Sequence, residues 1–223
     1  MEEIKQSGYT FDKPVCIGIA TYDGKGRAKS LSQAVGSLMG YGAILYLYDN
    51  SQNLINTADN GKFYGLTKLD KPCYYFTCDD DLIYPKTYIK DMVDKINEHS
   101  SICTHHGRIL TREGIPYYKG HKTFRCLNEV SNDEQIDVPG TGCTAFDTEY
   151  FNPTELWKSP DLRMSDLLFG LEAAKQGKKI MVLKHQTGYI QHSTHINLKD
   201  TIWANEQGNN RQTEIADQIL KLK

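Results

Sequence analysis

The chain of 223 residues is 39% hydrophobic and 24% charged, with a formal net charge of −2 at pH 7. These values predict one globular domain whose core is large enough to fold without disulfides, and they argue against binding nucleic acid through bulk electrostatics. No apolar run reaches the roughly 18 residues of a membrane span, and the first residues lack a secretory signal pattern, so we expect a cytoplasmic protein with no membrane span. Its six cysteines include no C-x-x-C pair and are expected to be reduced core residues.

Strand and helix patterns alternate over the first hundred residues. The apolar runs KPVCIGIATYDG, AILYLYDN and CYYFTC predict strands, and RAKSLSQAVGSLM and YPKTYIKDMVDKINEH predict helices, the second with Pro85 in its first turn. A turn is expected at Asn60-Gly61. This alternation predicts a parallel sheet with helices on both faces, and ligands of such sheets bind beyond the carboxyl ends of the strands.

The pattern changes after residue 100. Short runs broken by Gly, Pro and Asn predict antiparallel strands, MSDLLFGLEAAKQGKK predicts a helix that ends at Gly177, and IMVLKH predicts one more strand. RQTEIADQILKLK predicts a final amphipathic helix, for which packing on its own domain is favoured over joining a partner or leading into further domains. The fold class is therefore α/β, a mostly parallel Rossmann-like central sheet flanked by helices with a smaller antiparallel portion in the second half.

Three acids follow the third predicted strand in CYYFTCDDDLIYP. In an extended chain Asp79 and Asp81 would point to the same side, about 6.6 Å apart, and would repel by roughly 2 to 3 kcal/mol at an effective dielectric near 20. A divalent metal would offset this repulsion, because hard cations take oxygen ligands. The alternative is that Asp81 caps the following helix while its neighbours are solvated.

The runs VCIGIATYDG, YLYDN, YYFTCDDDLIYP and DLRMSDLLFGLEAAKQGKKIMVL, between Val15 and Leu183, resemble glycosyltransferases of the GT-A fold. These nucleotide-sugar-dependent enzymes carry a DxD motif, and the resemblance is to the inverting family-two group of bacteria and large DNA viruses. It implies one GT-A domain over 1–223, with a nucleotide-binding half (1–100), an acceptor and catalytic half (101–200) and a C-terminal helical tail (201–223). If the source is viral, the expected location is the host cytoplasm.

The resemblance implies a donor site at the strand ends. Asp79 and Asp81 would hold Mn²⁺ or Mg²⁺ against the diphosphate, with His192 as a third ligand, although a loop histidine such as His192 or His195 is often merely exposed. The remaining expected contacts to the nucleotide sugar are Thr21, Tyr22, Asp23, Asp49, Asn60, Asp80 and Gly142. An ordinary turn is the alternative for Asp49-Asn50, and a tight turn is the alternative for Gly140, Thr141 and Gly142.

The resemblance also implies a catalytic base. Asp166 in RMSDLLF matches the carboxylate that takes the proton of the acceptor hydroxyl in inverting members, a step that hydroxyl chemistry requires. The chain has Ser165-Asp166 where the common motif has Glu-Asp, and Asp161 is the reserve candidate. The alternative is that Ser165 and Asp166 cap a helix. Among basic residues that would neutralise the leaving group, sequence does not choose between Lys25, Arg27, Arg108 and Arg163.

The implied function is metal-dependent, hexosyltransferase-like transfer of a sugar from a nucleotide-diphosphate donor to a hydroxyl of a glycan or glycoprotein acceptor. A UDP-sugar donor is favoured, with GDP- and dTDP-sugars as alternatives, and no nucleic acid is expected as a partner. A sugar-phosphate nucleotidyltransferase is the first alternative, although TYDGKGRAKS matches the expected glycine-rich basic loop only loosely. A noncatalytic module that binds glycan or nucleotide is the second. A homo-oligomer formed through the C-terminal helix is a further expectation.

Overall fold

The computed structural model describes residues 10–22, 27–195 and 210–223. Four α-helices are present in these ranges: α1 (Ala28–Leu38), α2 (Tyr88–His99), α3 (Ser165–Lys175) and α4 (Asn210–Lys221). Two stretches of 3-10 helix cover Ala58–Lys68 and Thr154–Lys158. The strands are β1 (Val15–Thr21), β2 (Ile44–Asp49), β3 (Tyr74–Asp79), β4 (Leu82–Ile83), β5 (Ile102–Thr104), β6 (Gly107–Ile109), β7 (Lys122–Phe124), β8 (Glu134–Ile136), β9 (Val138–Pro139), β10 (Cys143–Asp147), β11 (Ile180–Val182) and β12 (Gln191–His192).

The central sheet has seven strands in the order β2-β1-β3-β10-β5-β11-β8. Strands β1, β2, β3, β5 and β11 run in one direction, whereas β10 and β8 run in the other. Two small antiparallel sheets complete the fold, β7-β6-β9 and β12-β4. The predictions of a mostly parallel central sheet and of a smaller antiparallel portion after residue 100 are confirmed.

Strand β1 is apolar along its length because both faces of the sheet are covered. Val15, Ile17 and Ile19 pack in a core with α1 and α2, whereas Cys16 belongs to a second core with α3, α4 and the 3-10 helix 58–68. This two-sided burial is why parallel strands read as continuous apolar runs rather than as alternating ones. Both cores contain residues from before and after position 100, so the two predicted halves of the chain share them.

The boundaries of two helices bear on the sequence predictions. α3 ends near Gly177, whose φ of +61° is the left-handed conformation that stops a helix, as expected. The expected place of Pro85 in the first turn of α2 is wrong, because α2 begins at Tyr88. The Tyr88 N–H donates to the Pro85 carbonyl (2.9 Å), so Pro85 lies in the turn that leads into the helix.

The turn predicted at Asn60-Gly61 is part of a longer element, the 3-10 helix 58–68. This element packs directly on β1 because Gly18 has no side chain. A Cβ at Gly18 would lie 2.0 Å from the Lys62 carbonyl oxygen. That carbonyl also accepts a hydrogen bond from the Tyr75 hydroxyl (2.8 Å), which holds the segment against β3 as well.

The C-terminal helix packs on its own chain. Ile215, Ala216 and Ile219 are buried in the core that contains α3, which confirms the favoured expectation. All six cysteines are buried and unpaired, which also agrees with expectation. Among the helices of the described ranges, none has the length and apolar character that a bilayer span requires.

Candidate active site

A cleft of about 490 Å³ opens at the carboxyl ends of β1 and β3. One wall carries Thr21, Asn50, Lys62 and the acids that end β3, and the opposite wall carries Asp166 at the start of α3. Ligands of parallel sheets bind at this edge, so the position agrees with the expectation from topology. The cleft therefore contains carboxylates from two elements that are far apart in sequence.

The three consecutive acids do not follow strand alternation, because β3 ends at Asp79 and the next two residues form a turn. Asp79 Oδ1 accepts a hydrogen bond from Lys62 Nζ at 2.5 Å. Asp80, which is 2% exposed, accepts from Thr21 Oγ1 at 2.6 Å and from Arg27 Nη1 at 2.5 Å. Asp79 and Asp80 line the cleft, and Asp81 does not. The extended geometry from which the Asp79-Asp81 separation was inferred thus ends at Asp79.

Two cationic side chains offset most of the repulsion within this acidic turn. Arg27 lies next to both Asp80 and Asp81, the latter at 3.4 Å, and Lys62 lies next to Asp79. Burial raises the pKa of Asp80, and Arg27 opposes that change. Burial, reinforced by the charges of Asp79 and Asp80, raises the pKa of Asp81 to about 7. One carboxylate of the three is therefore in excess over its cationic partners.

Gly142 is required beside the acidic turn. A Cβ at this position would lie 2.0 Å from Asp79 Oδ2. The Gly142 carbonyl accepts from the Tyr84 hydroxyl at 2.6 Å, and the same hydroxyl accepts from the Asp79 N–H at 2.9 Å. Gly142 is thus in contact with the expected donor site, and its lack of a side chain gives the Asp79 carboxylate its space.

Asp166 is the second residue of α3 and is held by the loop before β10. Its Oδ1 accepts from the Thr141 N–H at 2.8 Å and from Thr141 Oγ1 at 2.7 Å. No described residue donates to its Oδ2. Asp166 is therefore oriented, and it has one oxygen that remains available.

Asp59 joins this wall although sequence reasoning did not select it. Its Oδ2 accepts from the Ser165 N–H at 3.1 Å and lies 2.5 Å from Ser165 Oγ, so Asp59 caps α3 from the 3-10 helix. Burial raises its pKa, and the nearby charge of Lys62 opposes that change. The predicted capping role for Ser165 and Asp166 therefore belongs to Asp59, which lies more than 100 residues earlier.

Several other expected residues lie outside the cleft. Asp49 Oδ1 accepts from the N–H and Oγ of Ser51, which is the ordinary turn considered as its alternative. Asn60 is fully buried and donates to the Asp161 carbonyl at 3.2 Å. Asp161, the reserve base, also lies outside the cleft. It pairs with Arg211, and the hydrogen bonds from Arg211 lower the pKa of Asp161.

Two residues flank the carboxyl end of β1. Tyr22 lines the cleft and is 41% exposed, as a nucleoside contact would require. Asp23 was expected to act with Thr21 and Tyr22, but it lies outside the described residues, as does Lys25. Asn50 replaces Asp49 at the cleft: its amide donates to the Thr21 carbonyl at 3.1 Å and to the Ala58 carbonyl at 2.9 Å.

The acidic turn fits a divalent cation in donor type and charge. Asp79 Oδ2 and Asp81 Oδ1 lack hydrogen-bond partners within the described part of the chain. Mg²⁺ is commonly held by one or two carboxylates together with substrate phosphates, and carboxylates also suit Mn²⁺. Burial and then the charges of Asp79 and Asp80 raise the pKa of Asp81, and a bound cation would offset the contribution of those charges.

His192 is exposed on β12, which pairs with β4 directly after the acidic turn. It does not line the cleft, and the contact from this strand to the turn is made by the Ser193 N–H, which donates to the Asp81 carbonyl at 2.8 Å. In residues 10–22, 27–195 and 210–223, three ligand atoms lie within 4.8 Å of one another only at Glu98, His99 and Asp133. Asp79, Asp81 and His192 therefore do not converge to that degree.

Sequence reasoning missed several residues of the cleft, among them Asp59, Lys62, Tyr117, Tyr118 and Gln212. They come from the 3-10 helix, from the loop between β6 and β7, and from α4, none of which follows a predicted strand end. Arg108 stacks its guanidinium on Tyr117 and Tyr118, 4.5 and 5.0 Å from the ring centroids. The aromatic pair Tyr117-Tyr118 is the sequence feature from which this part of the cleft could have been suspected.

Comparisons with known proteins add little to this geometry. No protein-family model and no curated protein matches the sequence. Among solved structures, the chain is similar to A197 from STIV, with a TM-score of 0.42 and 12% identity over 82% of this chain and 86% of that chain. At this level of similarity, the likeness carries no argument about function.

Proposed function

We propose that this protein is a GT-A glycosyltransferase that moves a sugar from a nucleotide-diphosphate donor to an acceptor hydroxyl. The observation that carries the proposal is one cleft in which an acidic turn at a sheet edge and an oriented carboxylate at a helix start lie on opposite walls. The first group suits a metal-bound diphosphate, and the second suits a base. UDP-sugars are the favoured donors, and a glycan or glycoprotein is the proposed acceptor.

The donor would bind along the strand ends. Thr21, Tyr22 and Asn50 line that side of the cleft, where the nucleoside would lie. Asp79 and Asp81 would hold Mn²⁺ or Mg²⁺, which when bound supplies Lewis-acid stabilisation to the diphosphate. Lys62 and Arg27 line the same wall and would balance negative charge that develops as the nucleoside diphosphate leaves.

The acceptor would be activated by Asp166. Thr141 fixes Oδ1 of this carboxylate, so Oδ2 is the atom that takes the proton of the attacking hydroxyl. The oxygen then forms a bond to the anomeric carbon while the bond from that carbon to the diphosphate breaks on the opposite side. A single direct displacement of this kind inverts the configuration, so inversion is part of the proposal.

The test compares Asp166→Asn with the wild-type protein in donor binding and in transfer. Asn keeps the shape of the side chain but cannot accept a proton at neutral pH, so we expect transfer to fall by about 10²- to 10⁴-fold. Donor binding with Mn²⁺, measured by thermal shift across a panel of nucleotide sugars, should stay within about threefold, because Asp166 is on the acceptor wall. Asp161→Asn is the matched control and should transfer normally, since Asp161 pairs with Arg211.

The products separate this proposal from its alternatives. Release of a nucleoside diphosphate supports sugar transfer, whereas release of pyrophosphate would identify a nucleotidyltransferase. A protein that binds nucleotide sugars but releases neither product with any acceptor would be a binding module. Either of the last two results refutes the proposal.

A further inference from the structure

A row of four oxygen atoms connects Asp166 to a second carboxyl group. Asp166 Oδ1 lies 2.7 Å from Thr141 Oγ1, which lies 2.7 Å from Ser165 Oγ. Ser165 Oγ in turn lies 2.5 Å from Asp59 Oδ2. All three separations are hydrogen-bond lengths for oxygen pairs, so each one requires a hydrogen atom between its two oxygens.

The hydrogen atoms of this row can be counted. The Thr141 and Ser165 hydroxyls supply one hydrogen each, and an ionised carboxylate supplies none. Three contacts therefore need one hydrogen more than the two hydroxyls provide. The missing hydrogen must reside on a carboxyl group at one end of the row.

Asp59 is the end that carries this hydrogen. Its Oδ1 is buried without a hydrogen-bond partner among the described residues, a state that is costly for an ionised carboxylate. Each end of the row also accepts one backbone N–H, from Ser165 at Asp59 Oδ2 (3.1 Å) and from Thr141 at Asp166 Oδ1 (2.8 Å), so the buried and unpartnered Oδ1 is what distinguishes Asp59. Burial raises the pKa of Asp59, and the charge of Asp166 adds to that effect.

We propose that Asp59 is a positioning residue that stays protonated and orients the base through Ser165 and Thr141. Asp59 donates to Ser165 Oγ, Ser165 donates to Thr141 Oγ1, and Thr141 donates to Asp166 Oδ1. Two donors thus hold Asp166 Oδ1, and Oδ2 is left without a donor among the described residues. The protonation state stands on its own, whereas its effect on turnover rests on the proposed function.

The charged and titratable groups around Asp59 come from each neighbouring element. Lys62 lies on the same 3-10 helix, Asp166 on α3 and Tyr118 on the loop between β6 and β7, and Arg163 lines the same cleft. Lys62 favours an ionised Asp59, and Asp166 favours a neutral one. Lys62 already donates to Asp79 Oδ1 at 2.5 Å, which leaves its charge shared between the acids.

The test is the denaturation midpoint of Asp59→Asn against wild type from pH 4 to pH 8. A protonated Asp59 has a folded pKa above its unfolded value, so wild type loses stability as pH rises while the variant does not. The midpoint difference should therefore shift in favour of Asp59→Asn with rising pH. A flat difference, or a shift in favour of wild type, overturns the proposal.

Asp161→Asn is the matched control, for which the stability difference from wild type should depend on pH in the opposite direction. Its hydrogen bonds to Arg211 lower the pKa of Asp161, so wild type should gain on this variant as pH rises toward the ordinary value of 3.8, with little further change at higher pH. Should Asp59→Asn fail to fold, the assigned carboxyl carbon resonance of Asp59 in wild type decides the matter. We expect this resonance to have the chemical shift of a protonated carboxyl at pH 6. The chemical shift of an ionised carboxylate would overturn the proposal.

Turnover supplies an independent readout. The Asn amide can donate to Ser165 as a protonated carboxyl does, so Asp59→Asn should keep kcat within about threefold and lose any decline of wild type at alkaline pH. Asp59→Leu cannot donate and should lower kcat at least tenfold with KM for the donor unchanged. Loss of kcat in Asp59→Asn equal to that in Asp59→Leu overturns the positioning role. If wild type transfers no sugar, the proposed function fails while the midpoint experiment still decides the protonation state.

Discussion

Lys62 is the residue on which the acidic side of the cleft depends. Its side chain is 3% exposed, and its ammonium donates to Asp79 Oδ1 at 2.5 Å. Burial alone would lower the pKa of this ammonium, but the charges of Asp79 and Asp59 raise it, so Lys62 stays charged. The repulsion inferred from three adjacent acids is therefore offset within the chain by Lys62 and by Arg27.

We expect Lys62→Met to lower the free energy of unfolding by about 1 to 3 kcal/mol, because it leaves buried acceptors without their cation. The upper end is reserved for fully buried pairs, and the Asp79 side chain is 40% exposed. Urea denaturation measures the change. Lys122→Met breaks a pair that is open to water on both sides and should cost less than about 1 kcal/mol. Equal losses in the two variants would contradict the role of Lys62.

Gly142 makes a second prediction at this scale. In Gly142→Ala the new Cβ displaces the Asp79 carboxylate, so we expect a stability loss of about 1 to 3 kcal/mol and a weaker thermal shift with Mn²⁺. Gly36→Ala is the control: it is exposed in α1 with no atom near its Cβ position, and it should gain about 0.5 to 1 kcal/mol. An unchanged response of Gly142→Ala to Mn²⁺ would show that Asp79 does not need this space.

The 3-10 helix 58–68 and α3 hold the two walls of the cleft together. The 3-10 helix 58–68 lies against β1 and provides both Lys62 and Asp59, and α3 begins where Asp59 accepts from the Ser165 N–H. α4 covers the second core and brings Gln212 to the cleft. The cleft thus depends on elements whose apolar faces are already buried against other parts of the same chain. A homo-oligomer formed through α4, as expected from sequence, would have to use the outer face of that helix.

The packing of α4 predicts unequal costs for substitutions within the helix and just after its end. Ile215→Ala removes a fully buried side chain and should lower the free energy of unfolding by about 2 to 4 kcal/mol. Leu222 is 50% exposed, and Leu222→Ala should change the free energy of unfolding by less than about 0.5 kcal/mol. Urea denaturation of both variants is the measurement. Similar costs would mean that α4 is not docked on the core in solution.

At the scale of the whole molecule, a histidine in the core sets a pH dependence of stability. Burial, with a further effect of His185, lowers the pKa of His105 to about 3 from an ordinary value of 6.5. Below pH 6.5 the unfolded chain takes up a proton that the folded protein does not. Stability therefore falls as pH drops from 6.5 toward 3, by up to about 1.4 kcal/mol per pH unit from this group.

His105→Phe isolates that effect. His105 stacks on Tyr189 with ring centroids 4.9 Å apart, and Phe keeps an aromatic ring in that place. We expect the variant to gain on wild type steadily between pH 6.5 and pH 4 in denaturation midpoints. Acidic groups with raised pKa, such as Asp81, act in the opposite direction in both proteins and cancel in the comparison. No pH dependence in the difference would mean that His105 is not buried in its neutral form.

Sequence by itself determined the order of strands and helices, the mostly parallel sheet and the placing of the acids at its edge. These follow from local signals: apolar runs of β1 and β3, the helical period of α1 and α3, and glycine at the end of α3. Asp79, Asp80, Thr21, Tyr22 and Asp166, which were selected with the help of the family resemblance, all line the cleft.

Only the tertiary structure decided which charges meet. Asp59 and Lys62 reach the cleft because Gly18 admits a 3-10 helix against β1, and Asp59 then meets Ser165 across 106 positions of sequence. Periodicity reports the burial of one segment at a time, whereas a hydrogen bond between distant residues depends on how segments pack together. That is why the acidic turn could be located from its sequence, whereas its partners could not. For the same reason, sequence did not show that Asp49, Asn60 and Asp161 lie outside the site.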